Sequence, residues 1–415
     1  MKSVVNRFLK YISIDTQGNE ENTSCPSNEN EKLLASLLLD ELRDMGVVDA
    51  YIDEKSFLYA KIPSNSKKKI PSLAFFAHLD TSPEVQGGNI KPRIIENYDG
   101  QPIVLNERLK MELCIEEFPY LKECCGKDLI VTDGTTILGA DGKAGIAEIM
   151  EAVHSIQESP QLEHGELYIV FTPDEELGYS TEYISMEAVP AQVGFTIEGG
   201  AVGELNYENF NAATVSVIVN GVSGYPGHAK NRMKNAILLA EEYMAALPKG
   251  DIPAHTQGYE GYYHISDIRG GVEQCRMTYN IRDFDLAGYE YRKRRMQEIA
   301  DFLNAYYGEK TFVVEIEDYY LNMKQKIDEY PEIINIAKKA ILLAEVEPKV
   351  IPVRGGTDGV TISFMGIPCP NLFSGGYNAQ SVQEFIPIQS MEKAVQVIIN
   401  VVTLFAESGE EDMLE

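Results

Sequence analysis

The 415-residue sequence is poor in positive charge, in paired cysteines and in long apolar runs. Lysine and arginine total 36 against 64 aspartates and glutamates, a formal charge of −28. A surface that acidic repels phosphate backbones and anionic lipid, which disfavours nucleic acid and membranes as partners. No stretch approaches the ~20 consecutive apolar residues of a membrane span. The opening "MKSVVNRFLKYISIDT" places apolar residues at helical spacing and lacks the apolar centre of a secretion signal, so the expectation is a cytoplasmic protein. The six cysteines, Cys25, Cys114, Cys124, Cys125, Cys275 and Cys369, contain no C-x-x-C pair. They read as buried free thiols in a reducing compartment, not as a disulfide framework or zinc ribbon. The closing "ESGEEDMLE" reads as a frayed, solvated end.

What is present is an α/β pattern in a chain too long for one compact core. "KLLASLLLDELRDMG" has helical periodicity. "SLAFFAHLD", "GELYIVFTPDEE" and "AQVGFTIEGG" are short apolar runs ending in acids or histidine, and "KAGIAEIMEAVHSI" is a helix following a glycine turn. In such sheets ligands bind at the carboxyl ends of the strands. From Asn211 the character changes: "NAATVSVIVNG" is a strand, "NRMKNAILLAEEYMAALP" a helix, "GYYHISDIRG" and "QCRMTYNIRDFD" paired strands, "YEYRKRRMQEIADFLNAYYG" a helix and "TFVVEIEDYY" a strand. That β-α-β-β-α-β order is ferredoxin-like. The expectation is a discontinuous α/β domain, 1–210 with 321–415, and an inserted α+β domain, 211–320. The helix "PEIINIAKKAILLAE" and the glycine-rich "RGGTDG" and "FSGGYN" follow the insertion.

Three motifs carry chemistry, each with a plainer alternative. His78 and Asp80 lie two apart at a strand end, so both can point one way; a carboxylate there can fix the tautomer of a metal-bound imidazole, or the two form a surface pair. Asp141 stands in a glycine turn before a helix, where it could bridge metal ions or cap the helix. Three successive acids, Asp174, Glu175 and Glu176, repel one another unless a cation offsets them or water solvates them. Glu198 closes the next apolar run. The four positions together, on successive strand ends, argue for a two-metal hydrolytic centre.

The stretches "FFAHLDTSPE", "TDGTTILGADGKAGIAEIM", "FTPDEELG", "GGAVGELNYENFNAA", "HTQGYEGYYH", "YNIRDFD", "RGGTDG" and "SFMGIPCPNLFSGGYN" resemble the peptidase T family of tripeptide aminopeptidases. That family lies in the di-zinc superfamily of carboxypeptidase G and related amidohydrolases. The resemblance implies a zinc-exopeptidase-like domain with a mixed sheet between helices, and a ferredoxin-like lid. It implies His78 as ligand of one zinc with Asp80 behind it, Asp141 as bridging carboxylate, Glu175 as general base and Glu176 as ligand of the other zinc. Glu198 stands at a further ligand position. Arg282 and Arg354 fall in matching segments, as substrate-carboxylate binders or as structural ion pairs. Short peptides are the implied partners. A lid residue supplied across a subunit boundary occurs in the superfamily, so a homodimer is expected.

The chain departs from the family pattern at four places. Gln380, in the loop "NLFSGGYNAQSVQEF", replaces a metal histidine by a weaker and harder amide donor. Gly142 replaces the aspartate that the family joins to the bridging one through a cis peptide. Glu198 replaces aspartate. Tyr225, in "SGYPGHAKN", replaces the lid histidine that faces substrate, with His228 three residues on. Two functions remain open: a metallopeptidase with one zinc or an altered metal and weakened activity, and a catalytically inactive peptide-binding or interaction descendant.

Overall fold

The computed structural model describes residues 3–178 and 180–408. Most of the acidic tail, residues 409–415, therefore lies outside the described residues, while Glu407 and Ser408 complete the helix Ile388–Ser408. The chain divides into two compact units. The first comprises Met1–Tyr207, Gln325–Ile351 and Thr357–Glu415; the second comprises Glu208–Lys324 and Pro352–Gly356.

The first unit is built on an eight-stranded mixed sheet. Its order is Asp49–Ile52, Leu58–Ile62, Leu167–Thr172, Leu73–His78, Val193–Ile197, Asn371–Leu372, Glu204–Asn206 and Lys349–Val350. The four strands from Leu167–Thr172 to Asn371–Leu372 run parallel. Every residue of Leu73–His78 is buried, as are those of its neighbours Leu167–Thr172 and Val193–Ile197. This explains their unbroken apolar character: a parallel strand covered on both faces has no solvent side on which to place polar residues. Phe75 stacks on Phe195, with ring centroids 6.1 Å apart, and Phe195 meets Phe405 edge-on. Helix α1 (Ser3–Tyr11) buries Val4, Val5, Phe8 and Tyr11. Helix α2 (Glu29–Asp44) opens on a capping box in which Asn28 and Glu31 satisfy each other's backbone N–H groups. Helix α3 (Ala140–Gln157) packs against α1, the strand Leu73–His78 and the helix Ile388–Ser408.

A smaller sheet, Phe385–Pro387, Leu129–Val131 and Arg93–Ile95, occupies a region where the sequence reading assigns no elements. Tyr377 is sandwiched there between Tyr120 and Phe385, with centroids 5.3 and 5.0 Å away, which anchors one end of the loop carrying Gln380.

The second unit is a four-stranded antiparallel sheet in the order Tyr262–Gly270, Gln274–Asp283, Asn211–Asn220 and Phe312–Tyr320. The strand Asn211–Asn220 is buried over its first three residues and from Ala213 alternates buried and half-buried residues. Its Val215, Val217 and Val219 share a core with Tyr243, Met296 and Leu303. The expected helix over "NRMKNAILLAEEYMAALP" begins only at Ala236, with Asn235 as its cap. Asn231 lies in the left-handed region, which ends helical continuity before it. The cysteines are free, but only four are buried; Cys125 is exposed and Cys25 half-buried.

Candidate active site

The parallel strands bring His78, Asp141, the Asp174–Glu176 run and Glu198 to one edge of the sheet. Asp80 is the hub. Its carboxylate lies 3.2 Å from His78 Nδ1 and accepts the backbone N–H groups of Glu175 at 3.1 Å and Glu176 at 3.0 Å. Buried completely, it fixes the histidine ring and the acidic loop together. His78 Nε2 points the other way, 3.4 Å from Asp141 Oδ1. Burial by itself lowers the His78 pKa, but hydrogen bonds to Asp141 and Asp80 outweigh it and hold the imidazole well above its usual range. Asp141 is displaced oppositely: burial raises it, and the His78 partner prevails and lowers it.

Asp141 is presented by backbone that is not helical. Gly139 has φ 74°, and Asp141 and Gly142 depart from helical angles before α3 becomes regular. Gly142 has φ 78°, and a Cβ there would stand 2.7 Å from the His78 carbonyl oxygen and 2.6 Å from His78 Cε1. The turn is therefore fitted to glycine. Among the described residues the sole cis peptide is Cys25–Pro26, so the 141–142 bond does not adopt the cis form that the family pattern implies.

The acidic loop is pinned on three sides. Asp174 sits at φ 55°, a strained position for a residue with a side chain, and its carboxylate accepts the Ser27 N–H at 2.8 and 3.0 Å. The Asp174 N–H in turn bonds Glu31 at 3.1 Å, so the cap of α2 also braces the loop. Further along, Asp358 accepts hydroxyl hydrogen bonds from Thr172 at 2.9 Å and Ser180 at 2.6 Å. Glu31 and Asp358 are braces that the sequence does not announce; Asp358 lies within the quoted "RGGTDG", four residues after Arg354.

Charge is unbalanced at this edge. Burial and repulsion from Glu198 push the Glu175 carboxyl well above the carboxylate range. Burial, with Asp141 nearby, pushes Glu176 up to about 8, and burial likewise pushes Glu198 up to about 8. Glu198 Oε1 is buried with no hydrogen-bond partner. A divalent cation would satisfy that oxygen and reverse the repulsion, and an imidazole with several carboxylates suits such an ion. Among the described residues, however, no three His, Cys, Asp or Glu side chains are drawn together as a ready ligand shell. At the position of the expected second metal histidine, the Gln380 amide instead donates to Glu176 Oε2 at 2.6 Å. Gln380 lies at φ 60° in a loop held by Asn378.

The remaining candidates belong to the second unit. Tyr225 is 75% exposed and meets His228 edge-on at 5.5 Å. Arg282 donates to the carbonyls of Ala213 and Ile281 and lies over Tyr320. Arg354 donates to the carbonyls of Gly258 and Glu260 and stacks on Phe210. Both guanidinium groups thus brace backbone within that unit. No helix among the described residues is long and apolar enough to cross a membrane.

Comparison with known proteins places this geometry. Residues 134–404 match peptidase family M20/M25/M40. Peptidase T of Clostridium novyi (strain NT) is 47% identical over 406 residues, covering 98% of this chain and all of the relative. Peptidase T of Desulfitobacterium hafniense (strain Y51) is 49% identical over 407 residues, covering 98% and 99%. Among solved structures, the aminopeptidase PepT of Bacillus cereus superposes with a TM-score of 0.78 at 23% identity, covering 97% of this chain and 98% of that one. The Bacillus subtilis YXEP protein, a dinuclear metal-binding M20 peptidase, superposes at 0.65 and 14% identity over 97% and 98%. With near-complete coverage at almost half identity, the chain belongs to the peptidase T family of the M20 peptidases.

Proposed function

We propose that the protein is a cytoplasmic metal-dependent aminopeptidase that releases the N-terminal residue of tripeptides, working with an altered second metal position. The observation that carries the reading is the Asp80 carboxylate, which braces His78 and the Glu175–Glu176 loop at once. His78, Asp141 and Glu198 would hold one zinc ion, with the partnerless Glu198 Oε1 as the open donor. Bound there, the ion would acidify water and polarise a peptide carbonyl.

Glu175 is the general base. Burial and the nearness of Glu198 raise its proton affinity, and a bound cation would offset that repulsion, leaving a carboxylate able to take a proton from water and return it to the leaving amine. Asp80 keeps the base loop fixed through its N–H groups. Tyr225, where the resemblance puts the family's lid histidine, keeps a hydroxyl that can donate a hydrogen bond. Glu176 is the ligand of the second position, and the Gln380 amide occupies its Oε2 with a hydrogen bond. An amide N–H there competes with a cation for the same lone pair, which weakens that position.

The reading is tested by assaying purified protein against a tripeptide panel with zinc, cobalt or manganese, beside a chelator control and a metal count. The expected result is chelator-sensitive release of N-terminal residues with fewer than two tightly held ions, and a higher metal count in Gln380→His. Folded protein that binds metal yet releases nothing from any peptide would replace this reading with the peptide-binding alternative.

A further inference from the structure

Glu384 lies four residues beyond Gln380 and is 1% exposed. Its Oε2 accepts the backbone N–H groups of Leu138 and Gly139, each at 2.7 Å, and its Oε1 accepts that of Asp141 at 3.0 Å. The three donors come from the turn that precedes α3, where Gly139 is left-handed and Asp141 is extended. Successive N–H groups in such a turn form a concave anion site. Here the anion is a side chain of the protein, delivered by a segment about 245 residues further along the sequence. Beside it, Lys143 is fully buried and donates a hydrogen bond to the Ile14 carbonyl at 2.7 Å. At the other end of the same segment, Tyr377 is held in the aromatic sandwich. The Gln380 loop is therefore clamped between an aromatic stack and a carboxylate seated in the Asp141 turn.

We propose that Glu384 is a positioning residue for Asp141, setting the direction of its carboxylate toward His78 and thereby the affinity of the centre for its metal. The proposal rests on the reading of Asp141 as a metal ligand. Glu384 acts through the peptide N–H groups of Leu138, Gly139 and Asp141 in that turn.

The test is titration with Co2+ alone, followed by calorimetry and by the visible absorption of the bound ion, on the full chain and on Glu384→Gln. Glutamine keeps the volume and one acceptor oxygen but turns the other into a donor facing an N–H. Loss of such an outer partner typically weakens metal binding about 10–100-fold. The expected outcome is a drop of that size with a shifted cobalt spectrum. A core variant in the same unit, Ile398→Ala, controls for general destabilisation and should keep parental affinity and spectrum. Parental binding by folded Glu384→Gln overturns the proposal, as does an equal loss in Ile398→Ala. A parental chain that binds no Co2+ overturns the metal reading beneath it, a distinct result from either.

Discussion

Glu148 offers the sharpest test of the energetics. It lies in the middle of α3, fully buried, and no protein group donates to either carboxylate oxygen. Burial is the sole cause that pushes its pKa well above the ordinary value. A carboxyl in that state binds its proton more tightly in the folded than in the unfolded chain. Between the unfolded pKa, about 4.3, and the raised folded one, the unfolded state carries fewer protons, so stability falls as pH rises. The slope is about 1.4 kcal/mol per pH unit inside that window. Glu148→Met keeps helix propensity and approximate length while removing both oxygens. It should be more stable than the parent even at acid pH, because an unsatisfied buried polar atom costs about 1–3 kcal/mol. Its advantage should then widen by about 1.4 kcal/mol for each pH unit above the unfolded carboxyl pKa, until the raised folded pKa is reached. The chain has no tryptophan, so urea unfolding at pH 5, 6, 7 and 8 is best followed by far-ultraviolet circular dichroism. Parallel pH curves for parent and variant would refute the reasoning, since they would mean that Glu148 titrates as it does in the unfolded chain.

Three further outcomes follow from local geometry. Gly142→Ala should destabilise by more than about 2 kcal/mol in thermal unfolding, because φ 78° and the approach of the His78 carbonyl both oppose a Cβ; a neutral result would show that the turn relaxes freely. Asp174→Ala should cost about 2–3 kcal/mol through loss of the Ser27 bonds while the left-handed backbone persists, and Asp174→Asn, which tolerates that backbone and keeps one acceptor, should cost less. Tyr225→Phe should leave stability within about 0.5 kcal/mol at so exposed a position; a larger shift in thermal unfolding would show that the hydroxyl is held by the fold.

Much of the centre is legible in the sequence because it follows local rules. His78 and Asp80 stand at the end of an apolar run, so strand periodicity alone places them together at the sheet's edge. Asp141 is flanked by glycines, which announces a turn before a helix. The β-α-β-β-α-β order of the second unit is likewise carried by alternation that each strand shows on its own. The braces are not legible. Glu31 reads as the capping partner of Asn28, and only the tertiary fold shows its other oxygen on the Asp174 N–H. Glu384 closes a loop in the sequence, and its donors lie some 245 residues away. The short strands Arg93–Ile95, Leu129–Val131 and Phe385–Pro387 escape for a similar reason: three residues carry no period of their own and become strands only when paired.

The place of Asn371–Leu372 in the large sheet has a consequence for how the protein is made. That strand pairs with Val193–Ile197 on one side and Glu204–Asn206 on the other, and Asn371 accepts the Thr196 hydroxyl bond across 175 residues of sequence. During synthesis His78, Asp141, Glu175 and Glu198 all leave the ribosome well before this strand and Glu384 exist. The candidate site side chains are thus translated early and assembled late, and a chain interrupted anywhere in the second unit carries these acids without the segment that seats them.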